Sequence, residues 1–354
     1  MVIRTRTAGL ANSNVSNADT TDQNTVQSSR QMNVIDQTRY GSPDVLHLQR
    51  VEKPVPKDNE VLIKNVSSSV NAGDWHLMRG TPFLIRLIFG GWFKPAIRTL
   101  GIDVAGRIEA VGANVTQFKP GDEVFGDASS SGFGGFAEYV CVSEEAIALK
   151  PNSVTLAEAG AIPAAALAAL QAVRDCGNIQ AGQRVLVNGA SGGVGSFAVQ
   201  MAKAWGAKVT AVCHGSKLDR VAAMAPDDII DYTQTDIIQT GQQYDLIIDA
   251  AAYRSISEYL PILSPGGTYV MVGGSTGLFL QAALLGPWIS KRRGCTIKSL
   301  DVKLNAADLN TIRQMVDDGR IVPQIDRVYS LQEVPDAIRY VESRQVCGKV
   351  LIQI

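Results

Sequence analysis

Three small residues, Ala190, Gly192 and Gly195, have the spacing of a dinucleotide-binding turn. The apolar run Val185 to Val187 precedes the turn, and a helical pattern extending to Trp205 follows it. In such a unit the second position lets the backbone approach a pyrophosphate, and the third lets helix and strand pack together. N–H groups at the helix start favour phosphates. We therefore predict a dinucleotide site rather than a purely structural turn, with contacts from Ala190, Ser191, Gly192, Gly193 and Val194.

The residues after the next apolar strand indicate which dinucleotide would bind. An NAD site usually has Asp or Glu about 20 residues after the glycine turn, where it binds the ribose 2′-hydroxyl. This chain has His214, Ser216 and Lys217 there, followed by Arg220. A hydroxyl and two cations suit a 2′-phosphate, and each charge-assisted hydrogen bond contributes roughly 1.5 to 3 kcal/mol. The segment predicts NADPH; alternatively, Lys217 and Arg220 lie on a solvated helix face.

The composition excludes several classes of protein. The chain has 354 residues, of which 45% are hydrophobic and 19% charged, which predicts a soluble globular protein of about two domains. A net charge of −1 favours neither a nucleic acid nor a membrane as partner, and no apolar run reaches membrane-spanning length. Five scattered cysteines predict reduced thiols and a cytoplasmic location. The basic cluster Lys291 to Arg293 is expected in a solvated loop.

The hydrophobic pattern divides the chain. Residues 1–31 are polar and aperiodic, which predicts a disordered N-terminal extension, with Met32 as a candidate start codon. Arg4 and Arg6 leave an organelle-targeting segment as the alternative. Short strands separated by turn signals follow up to Val140 and predict a β-rich domain. Beyond about residue 155, strands alternate with helices, as in a doubly wound parallel sheet. The six predicted strands are Val185 to Val187, Val209 to Val212, Ile229 to Tyr232, Leu246 to Asp249, Tyr269 to Val272 and Thr296 to Ile297.

The C-terminal part has a mixed pattern. We predict a helix around Asp308 to Asp317, a strand at Arg327 to Tyr329, a helix at Val334 to Glu342 and a strand at Lys349 to Ile352. This part is expected to pack back onto the β-rich domain. The predicted divisions are residues 1–31, 32–157, 158–298 and 299–354.

Several motifs outside the glycine turn occur in a recognisable order. They are Asn71 to Gly80, Gly101 to Gly106, Gly121 to Gly126, Gly134 to Val140, Asp231-Tyr232 and Gly348 to Val350. With the turn, they make the chain resemble the medium-chain dehydrogenase/reductases, and most of all the zinc-independent quinone oxidoreductases, which include alkenal and enone reductases. The resemblance implies an α/β fold with a Rossmann doubly wound parallel sheet plus a β-rich GroES-like catalytic domain. It also implies a site in the cleft between them and a homodimer joined through the last Rossmann strand.

The Asn-x-x-Asp motif of Asn71 and Asp74 matches the family motif near the nicotinamide. Negative charge that develops on a substrate carbonyl oxygen is stabilised by donors aimed at it. The resemblance therefore implies that Asn71 offers an amide donor and that Asp74 orients its neighbours; alternatively, both residues only fix a local turn. His76 is a candidate proton donor, with water or a mere packing role for His76 as the alternatives.

The resemblance also implies cofactor contacts outside the turn. Tyr232 is expected to flank the 2′-phosphate, the segment from Gly273 to Ser275 to pass the nicotinamide, and Lys349 to lie at the cleft. Ala168 replaces a threonine that is common in this family. The residues expected to contact the cofactor outside the turn are Asn71, His214, Ser216, Lys217, Tyr232, Gly273, Gly274, Ser275 and Lys349.

The residues do not predict a metal site. Asp74 stands where zinc-dependent relatives have a cysteine, and Gly101-Ile102-Asp103 replaces their Gly-His-Glu. A structural zinc would usually need four clustered cysteines, which the sequence lacks. We therefore expect a zinc-free protein.

The segment from Thr81 to Thr99 is rich in large apolar residues. It suits a flat hydrophobic substrate, although a core or dimer-contact role is equally open. The resemblance implies an NADPH-dependent oxidoreductase that transfers hydride to a quinone or to the activated double bond of an α,β-unsaturated carbonyl. The alternatives are an NADP-dependent alcohol/carbonyl dehydrogenase and a non-catalytic NADPH-binding sensor or structural protein.

Overall fold

The structure is a computed structural model that describes residues 30–89 and 91–354. The disordered extension predicted for residues 1–31 therefore falls almost entirely outside the described residues. The first strand begins at Gln31, one residue before Met32.

The first part of the described chain forms short, mostly antiparallel strands. They are β1 (Gln31–Gln37), β2 (Leu46–Glu52), β3 (Glu60–Val70), β4 (Asp103–Val111), β5 (Glu123–Asp127), β6 (Tyr139–Ser143) and β7 (Ile147–Leu149). β1 pairs with β2, whereas β3, β4, β5 and β7 are successive neighbours in a larger sheet and β6 pairs with β3. Helices α1 (Ala72–Arg79) and α2 (Leu84–Ile88) lie between β3 and β4.

The middle of the chain forms the parallel sheet. Its strands are β8 (Arg184–Asn188), β9 (Lys208–Cys213), β10 (Asp228–Asp231), β11 (Tyr244–Asp249), β12 (Leu263–Met271) and β13 (Thr296–Ser299). Its helices, with the two that precede it, are α3 (Leu156–Ala159), α4 (Pro163–Gln171), α5 (Gly193–Ala204), α6 (Leu218–Ala222), α7 (Ile256–Tyr259) and α8 (Thr276–Arg293). The strand order β10-β9-β8-β11-β12-β13 is that of a doubly wound sheet. All six predicted strands are present, and the predicted α/β fold class is confirmed.

The C-terminal part returns to the first sheet. It contains α9 (Ala306–Asp317), β14 (Ile325–Ser330), α10 (Val334–Glu342) and β15 (Lys349–Gln353). β15 lies between β14, to which it is parallel, and β3, to which it is antiparallel. The first residue of β15 is therefore close to the end of β3, where α1 begins.

One apolar core joins the two sheets. Leu167 and Leu170 of α4 are buried with Val187 of the parallel sheet and with Ala105 and Phe125 of the first sheet. Because α4 is covered on all sides, nearly all its residues are apolar. The shared core holds the two sheets against each other.

Lys291 to Arg293 form the last turn of α8 and not a loop, so that prediction was wrong. Cations at this end of a helix interact favourably with its dipole, and Gly294, with φ of 63°, ends the helix.

Among the described residues, no helix combines the length and apolarity needed to cross a membrane.

Candidate active site

A cluster of polar side chains lies where β3, β4 and β15 meet. Asn71 follows β3, Asp103 is the first residue of β4, and Lys349 is the first residue of β15. The Lys349 Nζ atom lies 2.5 Å from Oδ1 of Asn71 and 3.2 Å from Oδ2 of Asp103. Asn71 Nδ2 donates to the same Asp103 oxygen at 2.8 Å. The sheet order thus brings together three residues that are far apart in the sequence.

Asp103 is the centre of this cluster. Its carboxylate is fully buried and also accepts hydrogen bonds from the Ser69 hydroxyl and from the backbone N–H of Ala164, the latter at 2.7 Å. Ala164 lies in the first turn of α4, where the helix dipole favours a negative charge. Lys349 is only 3% exposed, and buried charges of this kind need close partners. Sequence reasoning missed Asp103, although an acid beginning an apolar strand was a usable signal.

Asn71 does not have the free amide donor that was expected of it. An amide nitrogen has two N–H groups, and here they point to Asp103 and, at 3.2 Å, to the carbonyl oxygen of Ser69. The expectation is corrected because the buried Asp103 carboxylate takes the hydrogen that a substrate would need. Lys349, by contrast, makes two hydrogen bonds within the described part of the chain and has three donors.

Asp74 joins the start of α1 to the chain before β4. Oδ2 accepts the backbone N–H of Asn71 at 2.7 Å, and Oδ1 accepts that of Gly101 at 3.0 Å. Asp74 and Asn71 thereby form a capping box at the helix start. Burial, with a smaller contribution from the nearby Asp103, raises the pKa of Asp74 to about 7.

His76 lies further along α1 and faces the segment that follows the helix. Its ring stacks on Trp75 with 3.6 Å between ring centroids, and Nδ1 lies 2.7 Å from the carbonyl oxygen of Thr81. Because a carbonyl oxygen only accepts, Nδ1 must carry the hydrogen. Nε2 is then the ring nitrogen that remains for a ligand.

The glycine turn closes the carboxyl end of β8. Gly189 has φ of 77°, and a Cβ atom on Gly195 would lie 2.1 Å from the Gly189 carbonyl oxygen, so a side chain there would prevent close packing of helix and strand. A Cβ atom on Gly192 would have no neighbour nearer than 3.4 Å, which leaves room for a ligand. Gly348 donates to the Ser191 carbonyl oxygen at 2.7 Å. These contacts and the N–H groups at the start of α5 suit a dinucleotide pyrophosphate.

Lys349 links the turn to the polar cluster. A Cβ atom on Gly193, the first residue of α5, would lie 2.7 Å from Cδ of Lys349. The lysine stem therefore passes along the start of the predicted phosphate-binding helix, while its ammonium lies beside Asn71 and Asp103.

Three of the residues predicted for the 2′-phosphate come together beyond β9 and β10. His214 Nδ1 lies 2.9 Å from the Ser216 hydroxyl, and the rings of His214 and Tyr232 have centroids 5.8 Å apart. Lys217 is half-buried and donates to the carbonyl oxygens of Arg344 at 3.0 Å and Val346 at 2.7 Å. The alternative of a solvated face is therefore wrong for Lys217.

A carboxylate also lies beside this group. Asp231 ends β10, and a Cβ atom on Gly215 would lie 2.4 Å from its Oδ2. Hydrogen bonds from Thr233 to Oδ1 lower the pKa of Asp231, so it is charged at neutral pH. The residues after β9 predicted no carboxylate at this point. Asp231 was named only in its motif with Tyr232, and its place beside Gly215 was not predicted because it comes from the neighbouring strand β10.

The segment from Gly273 to Ser275 follows β12 at the carboxyl edge of the parallel sheet. Gly273 accepts a hydrogen bond from Ala252 at 2.8 Å, a Cβ atom on Gly274 would lie 2.8 Å from the Ala252 Cβ atom, and Ser275 caps α8. A buried polar group that was not predicted is centred on Asp249, at the end of β11. Asp249 accepts hydrogen bonds from Asn188 and Tyr269, both at 2.8 Å, and burial raises its pKa. These bonds tie together the ends of β8, β11 and β12.

The apolar segment between α1 and β4 is exposed. Seven large apolar residues there have between 42% and 92% of their surface exposed. They are Phe83, Leu84, Leu87, Ile88, Phe89, Trp92 and Phe93. A core role for these residues is therefore wrong. The contact of Thr81 with His76 places the segment directly beside α1.

The donor set of this site does not fit zinc. In the described part of the chain, no three His, Cys, Asp or Glu side chains are grouped so that they could hold a metal ion. The Asp74 oxygens accept from backbone N–H groups, the Asp103 carboxylate accepts from four donors, and His76 Nδ1 is bound to a carbonyl oxygen. A catalytic zinc needs three free Cys, His or carboxylate ligands.

Comparisons with known proteins agree with this architecture. Residues 57–152 match the family described as "Alcohol dehydrogenase GroES-like domain", and residues 225–352 match that described as "Zinc-binding dehydrogenase". The chain is 32% identical to "NAD(P)H oxidoreductase RTN4IP1, mitochondrial" of Danio rerio, over 89% of each protein. It is also 32% identical to "2-methylene-furan-3-one reductase" of Solanum lycopersicum, over 89% of this chain and 77% of the relative.

A solved structure has a similar fold over almost the whole described chain. The quinone oxidoreductase from Coxiella burnetii superposes with a TM-score of 0.80 at 25% identity. The similarity covers 92% of this chain and 99% of that one.

Proposed function

Because the chain belongs to the medium-chain dehydrogenase/reductase superfamily, we propose that it is an NADPH-dependent, zinc-free reductase of quinones or of the activated double bond of α,β-unsaturated carbonyls. The observation that carries the proposal is the buried Lys349, which lies against the phosphate turn and beside Asn71 in a site without a zinc ligand set. The name of the Danio rerio protein supports a nicotinamide cofactor, and the names of the Solanum lycopersicum and Coxiella burnetii proteins support an enone or a quinone as substrate.

The residues present fit the cofactor. The turn from Ala190 to Val194 and the N–H groups of α5 would hold the pyrophosphate. His214, Ser216 and Tyr232 would surround a 2′-phosphate. Lys217 would donate its third ammonium hydrogen to the phosphate, because the other two are bound to main-chain carbonyl oxygens. The segment from Gly273 to Ser275 would pass the nicotinamide, which, when reduced and bound, supplies a hydride.

The residues of this chain would orient the bound ligands and donate hydrogen bonds and a proton to them. Asp74 and Asn71 hold the start of α1, and the remaining N–H of Lys349 is the donor that the cluster offers to a bound ligand. Donors fixed in advance stabilise developing negative charge because they need no rearrangement during reaction. His76 could deliver a proton through Nε2, and water is the alternative source.

The exposed apolar segment supports a hydrophobic substrate. Its side chains follow directly after α1 and would cover a flat quinone or a long enal. The other open role for this segment is a contact between two copies of the chain.

We also propose a homodimer and a cytoplasmic location. β13 is an edge strand, and the exposed Leu284, Leu285 and Trp288 lie on α8, which packs against it. None of the five cysteines forms a disulfide, as suits a reducing compartment. Light scattering of the purified protein would test the dimer, and fractionation of the source cells would test the location.

The absorbance of NADPH, followed with the pure protein, tests the function. We expect consumption with 2-alkenals and enones or with quinones, little with NADH, none with the matching saturated ketones, and no loss after chelation. Turnover of alcohols or saturated ketones alone would indicate an alcohol/carbonyl dehydrogenase. Tight NADPH binding without any turnover would indicate a non-catalytic binder.

A further inference from the structure

Asp103 has more hydrogen-bond partners than its neighbours in the site and has no role in the reaction described above. We propose that Asp103 is a positioning residue, whose buried carboxylate holds the Lys349 ammonium and the Asn71 amide together against the phosphate turn. Asp103 would act on the bound cofactor through Lys349 and would not touch it. The identity of that ligand as NADPH rests on the proposed function.

The surroundings of Asp103 require a group that only accepts hydrogen bonds. The donors are the hydroxyl of Ser69, the amide of Asn71, the ammonium of Lys349 and the backbone N–H of Ala164. An ionised carboxylate accepts at both oxygens and has no N–H or O–H of its own. An asparagine in its place would point an NH2 group at one of these donors.

The same carboxylate fixes which way the Asn71 amide faces. With Nδ2 directed to Asp103, Oδ1 is directed to Lys349. A flipped amide would set its oxygen against the carboxylate and its NH2 group against the ammonium. Asp103 therefore fixes the position of the Lys349 ammonium in two ways, by direct contact and through the amide oxygen of Asn71.

These two acceptors determine where the third hydrogen of the ammonium can point. Two of the three ammonium hydrogens are bound to Asn71 and Asp103. The stem of Lys349 is held on its other side by Gly193 at the start of α5. The remaining N–H is thus confined to the region where the helix start would hold the cofactor.

No other described acid can replace Asp103 in this role. In residues 30–89 and 91–354, Asp103 is the carboxylate within 4.0 Å of Lys349. The neighbouring buried acids are bound elsewhere: Asp74 to the backbone N–H groups of Asn71 and Gly101, and Asp127 to that of Ser129. Removal of Asp103 would leave a buried ammonium without a counter-ion.

A double-mutant cycle on cofactor binding tests the proposal. The dissociation constant of NADPH is measured by fluorescence titration, without substrate, for Asp103→Asn, Lys349→Met and the double variant. We expect each single variant to weaken binding about tenfold or more. In the Lys349→Met background, Asp103→Asn should add less than about twofold, because the residue through which it acts is already gone.

Thermal unfolding of the same proteins provides an independent readout. Each single variant leaves one buried charge unpaired, whereas the double variant leaves none. We expect the double variant to unfold at a higher temperature than either single variant. A lower unfolding temperature for the double variant would contradict the ion pair.

Asp127→Asn is the matched control, because Asp127 is a buried acid paired with Asp103 in the register of β4 and β5. It should leave the NADPH dissociation constant unchanged. The proposal would be overturned if the affinity losses of the two single variants multiplied in the double variant. It would also be overturned if Asp127→Asn lost as much NADPH affinity as Asp103→Asn. If Asp103→Asn does not fold, wild-type affinity in Lys349→Met would still overturn it. Because no substrate is used, a protein that reduces no quinone or enone would fail only the proposed function.

Discussion

The Nζ atom of Lys217 donates a hydrogen bond of 2.7 Å to the main-chain carbonyl oxygen of Val346. Lys217 follows β9 of the parallel sheet, whereas Val346 belongs to the loop that leads into Gly348 and Lys349. One side chain therefore connects the predicted 2′-phosphate pocket to the segment that completes the polar cluster.

We expect Lys217→Ala to weaken NADPH binding about ten- to hundredfold and NADH binding far less, because a charge-assisted bond to the 2′-phosphate is lost. Titration with both cofactors measures this difference. Lys208→Ala at the opposite end of β9 is the control and should change neither affinity. Equal losses for the two cofactors would show that Lys217 serves only to hold the loop.

The glycines of the turn should separate packing from ligand binding. Gly195→Ala should lower the unfolding temperature, because its Cβ atom would lie 2.1 Å from the Gly189 carbonyl oxygen. Gly192→Ala has space in the fold, so its stability should remain while cofactor affinity falls about tenfold. Calorimetry and titration together test this pair. Unchanged affinity in Gly192→Ala would contradict a pyrophosphate at the turn.

Asp127 should make stability depend on pH. Burial raises the pKa of Asp127 to about 6, with a further contribution from Asp103. An unfolded chain loses this proton near pH 4, so the folded state binds it more tightly between about pH 4 and 6. The free energy of unfolding should therefore fall as pH rises through this range, by about 3 kcal/mol for this group.

Asp127→Asn removes that dependence. The unfolding free energy of the variant minus that of the native protein should rise by about 3 kcal/mol from pH 4 to pH 7. Denaturant unfolding at each pH measures this difference. Asp74, with a pKa of about 7, remains in both proteins and cancels in the comparison. A constant difference across this range would show that the Asp127 carboxyl titrates normally.

Trp92→Ala tests the apolar segment. Trp92 is 58% exposed, and we expect its loss to raise KM for a long-chain enal roughly tenfold while leaving KM for a short one unchanged. Val55→Ala, at a position 84% exposed outside the segment, is the control. A change in oligomeric state with unaltered KM would instead assign the segment to a dimer contact.

Local patterns predicted most of the elements. Helix α10 has the predicted bounds, Val334 to Glu342, because its apolar residues recur on one helical face. The last of the short strands predicted up to Val140 is displaced: β6 begins only at Tyr139 and extends to Ser143. The backbone N–H groups of Phe136 and Glu138 are instead bound to the carbonyl oxygens of Leu100 and Asn33, which lie far away in the chain.

The polar cluster could be predicted only in part. Asn71, Asp74 and Lys349 were found through their motifs, but the role of Asp103 depends on a partner 246 residues away. Only the order of the strands brings Asp103 and Lys349 together, and no spacing in the sequence encodes that order. α8 was missed for a different reason: Leu284, Leu285 and Trp288 are apolar yet exposed, so the helix has no distinct apolar face.

The position of β15 has a consequence for the order in which the protein assembles during its synthesis. The six strands of the parallel sheet are consecutive in the chain, so they can pair as soon as Ser299 has left the ribosome. In the first sheet, the position of β15 between β3 and β14 stays empty until residue 353 has left the ribosome. Until then Asp103 is without its lysine, so the polar cluster of Asn71, Asp103 and Lys349 can form only after both sheets have their strands.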